Sequence, residues 1–238
     1  MSAYFLPQMS SFLNEHGQFK LVVHTIPSSS PAVANGLVYI VSSDGNLYVF
    51  RADGCSQVTC NSLWKAQTGG NRSSTPASSQ WGGLCQFYDG KLYAFNADGC
   101  GQASCAPLWT AQAYEQEVAS LAVANGVLYI FSSDGKLHAF KADGCGQVNC
   151  PPLWMTQTGL QSVSPPAVVN GVIYVSSDDG KLYAFKADGC GLVNCPLLWM
   201  TQTDPVQTPH LGGAFSPVVA NGVVYVGSND GKLYAFHL

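Results

Sequence analysis

Apolar and polar residues alternate in short runs along most of the chain. In the segment KLYAFK, residues 181–186, Leu182 and Ala184 interleave with Tyr183 and Phe185 between two lysines. A period of two with apolar residues at both phases predicts a strand that offers both faces to neighbours. Residues 172–177 (VIYVSS) repeat the pattern, and the pairs Asn170-Gly171 and Asp179-Gly180 bracket that strand. Such pairs are two-residue hairpin signals for type I′ turns, in which both central residues take positive φ. The punctuation predicts four antiparallel strands: near 166–169, at 172–177, at 181–186 and around 197–201.

The four-strand unit recurs. Residues 121–154 read LAVANGVLYIFSSDGKLHAFKADGCGQVNCPPLW, and 166–199 read PAVVNGVIYVSSDDGKLYAFKADGCGLVNCPLLW. Tryptophans at Trp64, Trp109, Trp154 and Trp199 are each 45 residues apart, and Asp44, Asp89, Asp134 and Asp179 keep the same period before Asp230 follows after 51. A single four-stranded unit cannot bury two apolar faces, whereas radially stacked units can, so the prediction is an all-β, five-bladed β-propeller of four-stranded antiparallel blades. Residues 1–18 are read as an N-terminal extension and 19–238 as one propeller. Residues 19–23 (FKLVV) stand in fourth-strand register, 45 before Trp64, while 218–236 supply strands one to three of the last blade. The expectation is a ring closed by pairing of this N-terminal strand with the C-terminal blade, against the third strand ending at Phe236.

The blade pattern of Asn-Gly, Tyr, Ser, Asp-Gly, Lys-Leu-Tyr-Ala-Phe, Ala-Asp-Gly and Trp resembles the pyrroloquinoline-quinone-like (PQQ-like) propeller repeat over residues 19–238. The resemblance implies a docking motif of Ala, Asp, Gly and Trp between strands three and four, with the Trp packed between adjacent blades. Ala142, Asp143, Gly144 and Trp154 match it, as do the copies ending at Trp64, Trp109 and Trp199. A cysteine-bearing loop inserted between the motif Asp and Trp departs from the pattern.

Eight of the nine cysteines form pairs with four residues between: Cys55 with Cys60, Cys100 with Cys105, Cys145 with Cys150, Cys190 with Cys195. Each pair lies where two antiparallel strand ends approach, which suits a disulfide. Zinc is the competing reading, but each loop offers two of the four ligands zinc needs and the repeat brings no histidine to help. Four disulfides imply an oxidising compartment, so the protein is expected to be secreted or in the cell envelope, although the start of the chain shows no signal peptide. Cys85 is unpaired and, by the 45-residue count, takes the place of Ile40, Ile130 and Val175, as a small buried apolar residue.

Composition changes the picture mainly by exclusion. A net charge of −4 with ten scattered Lys and Arg offers no field for nucleic acid. No apolar run is long enough to span a bilayer. The acids outside the repeat are Glu15, Glu115, Glu117, Asp178 and Asp204; Glu115 and Glu117 share one loop with no first-strand acid facing them, so a glycoside hydrolase pair is not supported. Quinone-dependent dehydrogenases of the resembled family carry two adjacent cysteines, which are absent here, and His24, His138 and His210 have no nucleophile context. No catalytic residue, cofactor or metal is assigned.

A non-enzymatic, monomeric binding or scaffolding module is what the sequence predicts, with a protein partner favoured and a multivalent lectin as the alternative. Chain direction puts the Asp-Gly turns and the loops that follow strand four on one face, and the Asn-Gly turns and cysteine loops on the other. Variation between copies concentrates on the first face, so Arg72, Tyr114, Glu115, Glu117, Gln161 and His210 are the candidate ligand contacts. Trp81, in place of an Asn-Gly glycine on the opposite face, is read as a repacked turn.

Overall fold

The computed structural model describes residues 20–23, 30–68, 76–78, 83–88, 90–112, 120–132, 135–158, 160, 164–190, 195–203 and 215–238. All regular structure among them is strand. A two-residue strand β1 (Lys20–Leu21) comes first. Blade one holds β2 (Ala32–Ala34), β3 (Leu37–Val41) and β4 (Asn46–Arg51), then a short β5 (Thr59–Cys60) in its cysteine loop, then β6 (Trp64–Gln67). Blade two is β7 (Ala77–Ser78), β8 (Gly83–Tyr88), β9 (Lys91–Asn96) and β10 (Trp109–Gln112). Blade three is β11 (Ser120–Ala124), β12 (Val127–Phe131), β13 (Lys136–Lys141) and β14 (Trp154–Gln157). Blade four is β15 (Ala167–Val169), β16 (Val172–Ser176), β17 (Lys181–Lys186) and β18 (Trp199–Gln202). A last sheet has β19 (Val218–Ala220), β20 (Val223–Gly227) and β21 (Leu233–His237).

Four sheets are thus four-stranded antiparallel meanders and one is three-stranded. The first strands of successive sheets touch one another in turn, β2 to β7 to β11 to β15 to β19, so first strands form the inner edge. The core lies between sheets, where both faces of each sheet are apolar. Between blades three and four, Phe131, Leu137 and Ala139 pack with Ile173, Val175 and Phe185. Full burial of each large side chain there contributes about 1.5–3 kcal/mol.

The Asn-Gly turns are as the sequence predicts: Asn35, Asn125, Asn170 and Asn221 all have φ of 51°, followed by glycines between 73° and 76°. The Asp-Gly turns at Asp44, Asp179 and Asp230 differ. There only the glycines take positive φ, Gly45 at 76°, Gly180 at 76° and Gly231 at 79°. Ser42 N–H donates to Asn46 O at 3.0 Å and Gly45 N–H to Ser42 O at 3.0 Å. This is a three-residue hairpin loop with a left-handed glycine, and not a two-residue type I′ turn. The aspartate stays right-handed because its carboxylate folds back: Asp44 Oδ1 accepts from Asn46 N–H at 3.1 Å.

Blade two breaks register. Tyr88 pairs with Lys91 across a two-residue loop, and Cys85 pairs with Ala94. In the other blades the residues in that register are Tyr39, Tyr129 and Tyr174. Cys85 therefore takes a tyrosine's place in the sheet, not that of Ile40, Ile130 and Val175. The 45-residue count misses this because Phe87 and Tyr88 replace the serines that open the longer loop elsewhere.

The N-terminal strand also departs from expectation. β1 runs parallel to β5, Lys20 opposite Thr59 and Leu21 opposite Cys60, and among the described residues no sheet joins it to β21. Its fourth-strand register nevertheless has a structural counterpart. Lys65 pairs in parallel with Ser104, and Thr110 with Asn149, each being the fourth strand of one blade on the cysteine loop of the next. The three pairings step by 45 residues on both sides, so β1 meets blade one as β6 meets blade two.

Candidate functional site

On one face the hairpins and the roots of the long connections are tied together. Thr68, Thr158 and Thr203 each donate a backbone N–H, at 2.8 Å, to the carbonyl of Gly45, Gly135 and Gly180 respectively. The aspartate of the hairpin is braced as well, with Tyr48 Oη donating to Asp44 Oδ2 at 2.6 Å, Tyr234 to Asp230 at 2.8 Å and Tyr183 to Asp179. Burial pushes the Asp44 carboxyl up, but hydrogen bonds from Tyr48, Asn46 and Ser42 outweigh it and hold the group below its ordinary value. Conversely burial, and then Asp44, raise the Tyr48 phenol to about 12. The repeated aspartates are thus spent on turn structure.

The six candidate contacts, Arg72, Tyr114, Glu115, Glu117, Gln161 and His210, lie outside the described residues, as does Trp81. In the variable stretch 159–161 the described Leu160 is buried in the core between blades three and four. It is an anchor rather than a contact. Asp178, an acid outside the repeat, is exposed and accepts from Ser177 Oγ at 3.3 Å. Among the described residues no three His, Cys, Asp or Glu side chains gather as a metal site would need.

On the other face the cysteine loops are joints between blades. All four pairs are disulfides, with Cα–Cα separations of 5.4 to 5.7 Å. Each described loop presents backbone groups to the preceding fourth strand: Lys65 N–H donates to Ala103 O at 3.0 Å and Cys105 N–H to Lys65 O at 2.9 Å, with the same exchange at Thr110, Val148 and Cys150. The docking glycine completes the joint. Gly99, Gly144 and Gly189 lie against the indoles of Trp64, Trp109 and Trp154 of the preceding blade, as the docking motif implies.

Two features of this face escape the sequence reading. The leucine before each motif tryptophan, at Leu63, Leu108, Leu153 and Leu198, is 48% to 59% exposed. Each is fixed outward because its N–H is bonded to a third-strand carbonyl, as from Leu108 to Ala94 O at 2.7 Å. The recurrence of Leu before Trp was the available signal. Second, the motif aspartate pairs with a cation two residues earlier in three blades: Arg51 with Asp53 at 2.6 Å, Lys141 with Asp143 at 3.2 Å and Lys186 with Asp188 at 3.3 Å. In blade two Asn96 replaces the cation and caps the Asp98 N–H at 3.0 Å, leaving the Asp98 carboxylate without a cation among the described residues. Asp98 lines a groove of about 450 Å³ with Leu37, Leu63, Trp64, Gln102 and Ala103.

Comparison with known proteins agrees with this architecture. The family described as outer membrane protein assembly factor BamB matches residues 88–238. No curated protein matches the chain. Among solved structures, BamB from Moraxella catarrhalis superposes with a TM-score of 0.61 at 16% identity, covering 90% of this chain and 59% of that one. The chain therefore spans about three fifths of the length of that relative. The computationally designed Ika8 protein superposes with a TM-score of 0.60 at 13% identity, covering 94% of this chain and 75% of the design.

Proposed function

The chain belongs to the PQQ-like propeller family described as outer membrane protein assembly factor BamB, and from that membership we propose that it is a non-enzymatic scaffold that binds a protein partner through a propeller face. The observation that carries the reading is the tying of loop roots at Thr68, Thr158 and Thr203 to the hairpins. The variable segments that follow then start from a rigid repeated frame, the usual seat of recognition. The working residues are Arg72, Tyr114, Glu115, Glu117, Gln161 and His210, and the protein acts as a monomer. Four disulfides fit a secreted or envelope location. Among the described residues no helix is long and apolar enough to cross a membrane.

The test is a pull-down from an envelope extract of the native organism with the parent chain, with a variant carrying Arg72→Ala, Tyr114→Ala, Glu117→Ala and His210→Ala, and with Gln57→Ala plus Gln147→Ala on the cysteine loops. Loss of one defined protein partner from the four-fold variant alone supports the reading. Loss from the cysteine-loop variant alone overturns the choice of face, and several glycans bound per chain on an array overturn the protein partner.

The architecture that goes with this reading is a ring of five blades in which residues 19–22 also complete the last sheet. Support comes from the shared step of 45 residues that places Lys20 on Thr59 as Lys65 is on Ser104. The register of β9 with β10, Leu92 opposite Ala111, then puts Leu21 opposite Leu233 and Lys20 close to Lys232. An amine cross-linker should join Lys20 to Lys232 within one chain; an arc of blades would leave the two lysines unlinked.

A further inference from the structure

Among the described residues, the groove between blades one and two differs from the joints at Asp53, Asp143 and Asp188. At Asp53, Asp143 and Asp188 the motif carboxylate is neutralised by its own cation. At Asp98 the cation is replaced by Asn96, whose amide oxygen is bonded to the backbone, so a carboxylate without a cation among the described residues lines a groove shared with Leu37 and Leu63. The floor is Trp64, buried and held by Gly99. Leu37, Leu63, Asp98, Gln102 and Ala103 line the groove with it. A groove of about 450 Å³ is in the range of ordinary ligand clefts and is large enough for a few side chains.

Charge and shape specify the occupant. An apolar body would cover Leu63 and Leu37, and a cation would meet Asp98. Lysine and arginine combine an apolar stem with a charged head, so one such side chain can lie along the leucines and reach the carboxylate. Leu108, Leu153 and Leu198 are held outward in the same way on successive blades, but Leu63 alone among them lines this groove beside the Asp98 position. We propose that the groove lined by Leu37, Leu63, Gln102 and Asp98 docks a segment of a partner protein that places a lysine or arginine next to an apolar residue. The proposal rests on the scaffold reading but uses the face opposite the variable loops, so the two succeed or fail separately.

The experiment titrates the full chain, labelled with nitrogen-15, with acetyl-Leu-Arg-Leu-Arg-amide, and with acetyl-Leu-Glu-Leu-Glu-amide and arginine amide as counterparts. Saturable shifts of the Asp98, Gln102 and Ala103 amides are expected with the basic peptide. Asn96→Lys supplies the cation that Lys141 and Lys186 supply in other blades, so it should fold and weaken the peptide about fivefold, as should Asp98→Asn. Asp143→Asn should leave binding unchanged. The proposal is overturned if the acidic peptide binds equally, if arginine amide binds as tightly as the peptide, if shifts spread evenly to Leu108, Leu153 and Leu198, or if a folded Asn96→Lys variant binds like the parent.

Discussion

Gly144 lies so close to Trp109 that a Cβ at Gly144 would stand 2.5 Å from the Trp109 Cδ1 atom. Blade three is seated on blade two through this contact, and the backbone there has φ of +90°. Gly144→Ala therefore adds a steric clash to a left-handed penalty and should destabilise the chain by about 3 kcal/mol. Gly146, at φ of +77° with nothing within 4 Å, carries the backbone penalty alone, about 1–2 kcal/mol for alanine. Urea unfolding of the two variants separates the terms; equal losses would show that the close approach contributes nothing.

The disulfides shape the loops that receive the preceding fourth strand, so reduction should loosen the joints between blades. Loop entropy alone predicts about 2 kcal/mol for each small ring. The non-reduced mass should be about 8 Da below the fully reduced mass, two hydrogens per bridge, with Cys85 free to alkylate after denaturation. Melting with and without reductant should differ by many degrees, and a reduced chain as stable as the oxidised one would rule out the joint.

The Asp44–Tyr48 brace gives opposite limbs of a pH profile. Asp44 is held low in the fold, so its stabilisation is full above the unfolded carboxyl value of about 3.9 and is lost as pH falls through the lower folded value. Tyr48 is raised to about 12, so its stabilisation is full below the unfolded phenol value of about 10 and is lost as pH rises through the folded one. Tyr48→Phe should cost about 1 kcal/mol at neutral pH and shrink the alkaline loss, while Asp44→Asn should shrink the acid loss. Urea midpoints of parent and variants across the range check both limbs.

Leu47, Leu92, Leu137 and Leu182 are wholly buried at one position of the third strand, whereas Leu233 at the same position is 70% exposed. Leu137→Ala should cost about 2–5 kcal/mol. In the proposed ring of five blades the strand at residues 19–22 and blade one cover the last sheet, so Leu233→Ala should also cost about 2–5 kcal/mol. A loss under about 0.5 kcal/mol at Leu233 would show that the last sheet stays uncovered in solution and would overturn the closure.

Strands and blades were legible because both are written in local patterns: period two for the strand, Asn-Gly for its turn, 45 residues for the blade. The Asp-Gly turn at Asp44 was misread because its geometry depends on Ser42 and on where the Asp44 carboxylate turns, which the dipeptide does not carry. Cys85 was misplaced because counting residues cannot detect a hairpin one residue shorter. The partner of β1 was missed since its counterparts, Lys65 on Ser104 and Thr110 on Asn149, are rungs between blades with no sequence signature. Conversely, the uncompensated charge at Asp98 was readable from the loss of a cation at Asn96, but only once the structure showed that its counterparts pair.

The joint made by each fourth strand on the next cysteine loop reaches from the end of one 45-residue copy into the copy that follows. A tandem duplication of one copy therefore brings both halves of a new joint with it, tongue and socket together. An ancestor could lengthen the array without inventing a new interface. The near identity of residues 121–154 and 166–199 is the form that such growth leaves behind, and blade number becomes a trait that recombination can change faster than point mutation can.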